Sequence, residues 1–259
     1  MTTIALLSAL PEEQHGLLEL LQQARQVVHA GRTFWQGQLH RQPVVLALSR
    51  IGKVSASITA TALIERFGAA RIVFTGVAGG LAAGVKVGDV VVADEFIQHD
   101  LDVSPLFPRY EVPAYGRSRF ACDPLLSAAL ANAAHATLAK AGAAPLVAPG
   151  AGGPAVIFPG AQMHRGLIAS GDRFVSGVAE SLELQSALRG AGHDALAVEM
   201  EGAAVAQVCA DYGVAFAAMR TISDRADDQA HHDFSRFVND VASRYALLIV
   251  GEFLKSLSK

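Results

Sequence analysis

Short apolar runs, rich in β-branched residues, punctuate the chain at Ile4–Ala9, Val44–Leu48, Ile72–Thr75, Asp89–Ala93, Gly166–Ala169, Ala195–Val198 and Val214–Ile222. They lack polar alternation, which is the pattern of strands covered on both faces. Between them lie segments with helical patterning: Glu12–Ala24, Val54–Phe67, Pro124–Lys140 and Gly202–Tyr212. Apolar residues at Phe237, Val238, Val241, Leu247, Leu248 and Phe253 predict a last helix over Phe234–Leu257. Strands alternating with helices predict an α/β fold: one domain over residues 1–259, with a central, mostly parallel twisted sheet flanked by helices. Two irregular stretches, 104–119 and 141–163, are rich in Pro and Gly and read as long loop insertions.

Sheets of this kind hold ligands beyond the carboxyl ends of their strands, so the residues just after each apolar run are the candidates. The first run ends in Ala9-Leu10-Pro11-Glu12-Glu13, which is also ordinary chemistry for a helix N-terminus. The third ends in Thr75-Gly76-Val77-Ala78-Gly79-Gly80-Leu81, where glycines allow either a tight turn or a close backbone approach to a ligand. Its spacing is not GxGxxG and no GK[ST] follows, so a dinucleotide or ATP site is unsupported. A further run ends in Val198-Glu199-Met200-Glu201-Gly202, and in extended chain the two glutamates share a face. One carboxylate there suits vicinal sugar hydroxyls, and the alternative is a charge interaction with the following helix. The last run ends in Arg220-Thr221-Ile222-Ser223-Asp224, where Ser223 and Asp224 also have helix-cap chemistry.

Composition narrows the function classes. Lys+Arg 21 against Asp+Glu 24 gives a net charge of −3, no electrostatic footprint for nucleic acid or an anionic membrane. Hydrophobic content of 51% against 17% charged excludes disorder. Residues 141–164 are uncharged, but Pro145, Pro149, Pro154 and Pro159 break them as a membrane span. Two cysteines, Cys122 and Cys209, fit free thiols in a reducing cytoplasm, where the chain is expected to reside. His231 and His232 are adjacent rather than spaced for chelation, His99-Asp100-Leu101-Asp102 reads as structural, and no metal site is expected. A nucleophile elbow, GxSxG, is absent. Several separated carboxylates remain, suited to acid–base work on a polyhydroxylated substrate.

Taken together the strand ends resemble the 5'-methylthioadenosine/S-adenosylhomocysteine nucleosidases of the nucleoside phosphorylase superfamily. Ala9–Glu13, Ser49-Arg50-Ile51-Gly52-Lys53-Val54, Thr75–Leu81, Val87–Val91 and Ser170-Gly171-Asp172-Arg173-Phe174 carry the match. The most specific segments are Val198–Glu201 and Ile222-Ser223-Asp224-Arg225-Ala226-Asp227. The resemblance covers about the first hundred and last ninety-five residues and implies a mixed sheet of nucleoside phosphorylase type. It implies that Glu13 activates the attacking water and that Asp224, with Ser223 beside it, protonates N7 of adenine. Glu201 and Met200 match the ribose-binding pair, Phe174 and Val175 the adenine-binding segment, and Gly79 a substrate-contacting position. Arg220 matches a residue near the water, Ile51 and Phe234 match apolar walls, and Val103 with Leu106 or Phe107 reaches a neighbouring subunit's pocket. A homodimer with no cofactor or metal follows, acting on a small nucleoside. Leu10, Pro11 and Val77 depart from the family pattern, as do the two enlarged loops.

Residue chemistry agrees with that activity. N-glycosidic cleavage passes through an oxocarbenium-like sugar, needs an acid for the leaving base and needs an ionised carboxylate to order water. Three rivals stand beside it: hydrolysis of another purine nucleoside such as futalosine, a phosphorylase, and a silent nucleoside-binding protein. A phosphorylase needs paired arginines for phosphate, for which only Arg50 is a candidate, and Glu13 would face the phosphate with a carboxylate.

Overall fold

Strand β1 (Thr3–Ser8) is buried along nearly its whole length and pairs in parallel with β4 (Gln42–Leu48) and β5 (Ala69–Gly80). The computed structural model describes residues 2–14, 16–143, 146–147, 154–155, 160–226, 237, 241 and 243–257. Around β1 the sheet runs β11–β10–β6–β12–β5–β1–β4–β3–β2, with β2 Gln22–His29, β3 Arg32–Leu39, β6 Val90–Gln98, β10 Met163–Ser170, β11 Ala195–Glu199 and β12 Ala215–Asp224. A short β7 (Arg119–Ala121) lies antiparallel to β6. Pairings of β5 with β12, β6 with β10 and β10 with β11 are parallel, whereas β12 with β6 and β3 with its neighbours are antiparallel. The sheet is therefore mixed, as expected.

One pairing changes its shape. Gly79 and Gly80 at the end of β5 also pair with Val198 and Ala197 of β11, so β5, β12, β6, β10 and β11 close into a ring. The stretch expected as a glycine turn is thus strand. Between β8 (Leu146–Val147) and β9 (Pro154–Ala155) there is a two-stranded pairing inside the second loop insertion, whose remaining parts lie largely outside the described residues. The first insertion is a series of turns with a Val112–Arg117 bridge, and it buries Tyr110.

Helices cover both faces. Those of α2 (Lys53–Glu65) and α5 (Gly202–Tyr212) pack with Phe74, Phe96, Phe120 and Phe216 in one core. On the other side α3 (Pro124–Ala143) and α6 (Ser243–Ser256) cover Val73, Val92 and Met219. A further helix, α4 (Val178–Gly190), buries Leu188 and lies outside the helices predicted from the chain's pattern. The predicted helix Glu12–Ala24 is corrected: α1 spans only Pro11–Gln14. Gly16 takes φ of 85°, open to glycine and strained for other residues, and the chain passes through turns that bury Leu17 and Leu21 before entering β2. Strand β2 is an exposed edge, so it lacks the apolar run that marks the others. Within the predicted last helix, the first turns lie largely outside the described residues.

Gly202 opens α5 where a Cβ would stand 2.1 Å from Cε1 of Phe96, whose ring is fully buried and cannot swing away. Gly202→Ala is expected to cost about 1–3 kcal/mol through overpacking. A lowered Tm in thermal unfolding checks it; an unchanged Tm would mean that α5 shifts freely on the sheet.

Candidate active site

Glu13 stands at the third position of α1, with Leu10 as its N-cap. Its Oε2 accepts the backbone N–H groups of Leu10 at 3.0 Å and Ala9 at 2.8 Å, the reach-back of a capping box. Oε1 accepts the N–H of Val77 at 3.0 Å, across from β5. The carboxyl is thus both a helix-capping group and a group fixed against the sheet, and it is 2% exposed. Gly76 makes this possible, because a Cβ there would lie 2.8 Å from Oε1.

Asp224 ends β12 on the far side of β5. Its Oδ2 lies 2.7 Å from Ser223 Oγ and its Oδ1 accepts the N–H of Ala226 at 2.8 Å. A Cβ on Gly79 would stand 3.0 Å from Asp224 Oδ1 and 3.0 Å from Ala226 Cβ. Both carboxylates therefore rest against β5 at glycines three residues apart, about 10 Å of extended strand.

The two glutamates after β11 divide their work. Glu199 Oε2 accepts from Arg220 Nη2 at 2.5 Å and from Gly202 N at 2.9 Å, and Oε1 accepts from Ser170 Oγ and Gly202 N. Glu201 Oε1 accepts the N–H of Gly52 at 2.9 Å, and Oε2 has no protein hydrogen bond among the described residues. The helix-charge reading thus holds for Glu199, and the free oxygen is on Glu201.

A cavity of about 460 Å³ gathers these groups. Glu13, Ile51, Gly79, Phe174, Val175, Met200, Glu201, Ser223 and Asp224, each singled out in the sequence, line it together. Arg220 does not: it lies 1% exposed beneath the site, ion-paired to Glu199 and 4.1 Å from the centroid of the Phe74 ring. Phe234 lies outside the described residues. Val103, Leu106 and Phe107 are absent from the cavity wall, with Leu106 80% exposed. Sequence reading gave no role to Ser170 or to the Gly52 amide; Ser170 carried a signal, in the Ser-Gly-Asp motif after β10, but a backbone amide leaves none. Val77, without a hydroxyl, contributes its N–H to Glu13 and its side chain to the wall.

Charge sets the character of the site. Burial pushes the Glu13 carboxyl above its ordinary value, while the N–H of Leu10, the Arg220 guanidinium and the N–H groups of Ala9 and Val77 pull it down. Glu201 is pushed up to about 8 by burial first and by the Glu199 charge second, with Gly52 and Arg220 opposing. Among the described residues no group of three His, Cys, Asp or Glu is placed to hold a metal ion, and no helix is long and apolar enough to cross a membrane.

The sequence profile of the Phosphorylase superfamily matches residues 3–255. Among solved structures, the chain is similar to the 5'-methylthioadenosine/S-adenosylhomocysteine nucleosidase of Neisseria meningitidis in complex with methylthio-immucillin-A, at 34% identity over 99% of this chain and 100% of that one, with a TM-score of 0.84. The S-adenosylhomocysteine nucleosidase of Streptococcus pyogenes is similar at 31% identity, over 99% of this chain and 97% of that one, with a TM-score of 0.82. The futalosine hydrolase of Helicobacter pylori is similar to the same degree: 31% identity, 98% of each chain and a TM-score of 0.82.

Two outcomes follow from this geometry. Gly76→Ala is expected to displace the Glu13 carboxylate and to reduce turnover by at least about 100-fold, the lower range for a positioned acid or base, with the fold retained. Turnover assayed beside circular dichroism checks it. For Glu201 the sign runs against ionisation: folded protein keeps a proton that unfolded chain loses above about 4.5, so stability falls as pH rises from there to about 8. Glu201→Gln should flatten that decline in urea titrations across the range; an equal slope in both proteins would refute the raised value.

Proposed function

The chain belongs to the Phosphorylase superfamily, and from that premise we propose that it is a hydrolase of the N-glycosidic bond of 5'-methylthioadenosine and S-adenosylhomocysteine, releasing adenine. The observation that carries the reading is the trio Glu13, Asp224 and Glu201 opening on one cavity, each carboxyl held by its own backbone N–H.

Adenine binds beside Phe174 and Val175, with N7 toward Asp224, and Glu201 Oε2 accepts hydrogen bonds from the ribose hydroxyls. As the bond from C1' to N9 breaks, its electron pair moves into the purine and Asp224 delivers a proton to N7, so adenine leaves neutral. Ser223 Oγ can give or accept a hydrogen bond and so follows Asp224 through both protonation states. Water attacks the oxocarbenium-like C1' and loses a proton to Glu13, whose Oε1 accepts a single N–H, that of Val77, and so keeps acceptor capacity. A raised carboxyl value brings Glu13 nearer the working pH of a general base.

Water is favoured over phosphate as nucleophile by the cations present. The only guanidinium on the wall, among the described residues, is Arg173; its side chain is 77% exposed and ion-paired to Glu180 at 2.8 Å. Arg50 donates to the Gly31 carbonyl and does not line the cavity. A second reading, hydrolysis of futalosine, has the similarity to the Helicobacter pylori enzyme behind it.

Purified protein is offered 5'-methylthioadenosine, S-adenosylhomocysteine and futalosine, with and without phosphate, and free base and sugar products are quantified. Phosphate-independent adenine release, with free thioribose product, is expected. Glu13→Gln and Asp224→Asn should each lower kcat by about 10²–10⁴-fold. Release from futalosine alone would move the protein to the second reading, and a sugar 1-phosphate would make it a phosphorylase.

A further inference from the structure

Glu201 occupies the N-cap position of α5, with φ −135° and ψ −38°, yet its side chain makes no capping hydrogen bond. An N-cap side chain normally satisfies the orphan amides of the first turn. Here other residues have taken that task. Gly202 N donates to both oxygens of Glu199, at 3.0 and 2.9 Å, Glu201 N donates to Glu199 Oε2 at 3.2 Å, and Ala203 N donates to Ser170 Oγ at 2.8 Å. Ala204 N and Val205 N find the Glu201 carbonyl, at 3.0 and 3.3 Å. Every amide of the first turn is satisfied without the Glu201 carboxyl.

We propose that Glu199, with Ser170, is the positioning residue of the ribose site: it takes over the capping of α5 and so releases the carboxyl of Glu201 to the substrate. Glu199 reaches the cavity wall, but its two oxygens are already occupied by Arg220, Ser170 and the amides of the first turn, which leaves no acceptor for a ligand. Arg220, the buried cation of this cluster, neutralises it and also donates to the carbonyls of Met219 and Phe74, tying the block to β12 and β5. Without Glu199 and Ser170 the amides of Glu201, Gly202 and Ala203 lose their acceptors, and the side chain at the N-cap position, where a replacement cap belongs, is that of Glu201. The ribose ligand would then become its own helix cap.

This rests on the ribose role given to Glu201 under the proposed function. The test is calorimetric binding of two ligands that are not cleaved: adenine, and formycin A, an adenosine analogue joined by a carbon–carbon bond. Glu199→Ala, which removes both acceptor oxygens, should weaken formycin A by about tenfold, the loss of the ribose hydrogen bonds to Glu201, and leave adenine within about twofold. Glu201→Gln should do the same, and the double variant should be no weaker than Glu201→Gln alone. Equal weakening of both ligands, unchanged formycin A binding or multiplied losses in the double variant would each overturn the inference. Should Glu199→Ala fail to fold, Ser170→Ala, which removes one amide acceptor, should weaken formycin A by about threefold with adenine unchanged, and equal affinities would overturn it. Wild-type protein that binds formycin A no more tightly than adenine would remove the ribose role of Glu201 and this inference with it; wild type that discriminates while Glu199→Ala matches it removes the inference alone.

Discussion

Strand β5 must carry no side chain at Gly76 and Gly79, and most of the site follows from that restriction. At Gly76 the Glu13 carboxylate comes to within reach of the Val77 amide, and at Gly79 the Asp224 carboxylate lies against the strand from the other flank. The same glycine end pairs with β12 on one side and β11 on the other. Closing the ring thus brings the ends of β11 and β12, each delivering an acid, to the glycine end of β5. The glycines serve close approach here, since β5 remains a regular strand through Gly80.

A buried site with four carboxylates and one guanidinium is costly to assemble. An ion of this kind, taken from water, loses several kcal/mol of solvation unless partners replace it. Each acid meets that cost differently. Glu199 takes the cation, Glu13 takes three backbone amides, Asp224 takes a hydroxyl and an amide, and Glu201 shares one amide with the pocket rim. The least supplied of them, Glu201, is the one whose carboxyl value rises to about 8. Incomplete satisfaction inside the protein leaves that acid ready for a polar ligand to complete it.

Much of this was legible in the sequence because double-covered strands must be apolar throughout. β1, β4, β6, β11 and β12 appear as apolar runs, and ligand groups at their ends could be sought by rule. Glu13, Gly79, Glu201, Ser223 and Asp224, found at such ends, meet in one cavity with Ile51, Phe174, Val175 and Met200, which the family resemblance supplied. The edge strand β2 escaped because its exposed face is glutamine-rich, and the helix predicted over Glu12–Ala24 rested on four leucines, of which a run of turns buries Leu17 and Leu21 equally well. Arg220 belonged to the right strand end, yet its guanidinium points to Glu199 beneath the cavity; one residue of register decides that, and spacing in sequence does not show it. The division of labour between Glu199 and Glu201 was likewise invisible, since two glutamates of one motif differ only in which amides they meet.

The ring closed by β5 and β11 has a consequence in time. Glu13 follows β1 and Asp224 closes β12, so the two carboxylates exist as a pair only once β12 has been inserted between β5 and β6. A chain cut between β1 and β12 separates the two carboxylates. Under the proposed function, activity is thereby reserved for molecules whose sheet is in place from β1 to β12.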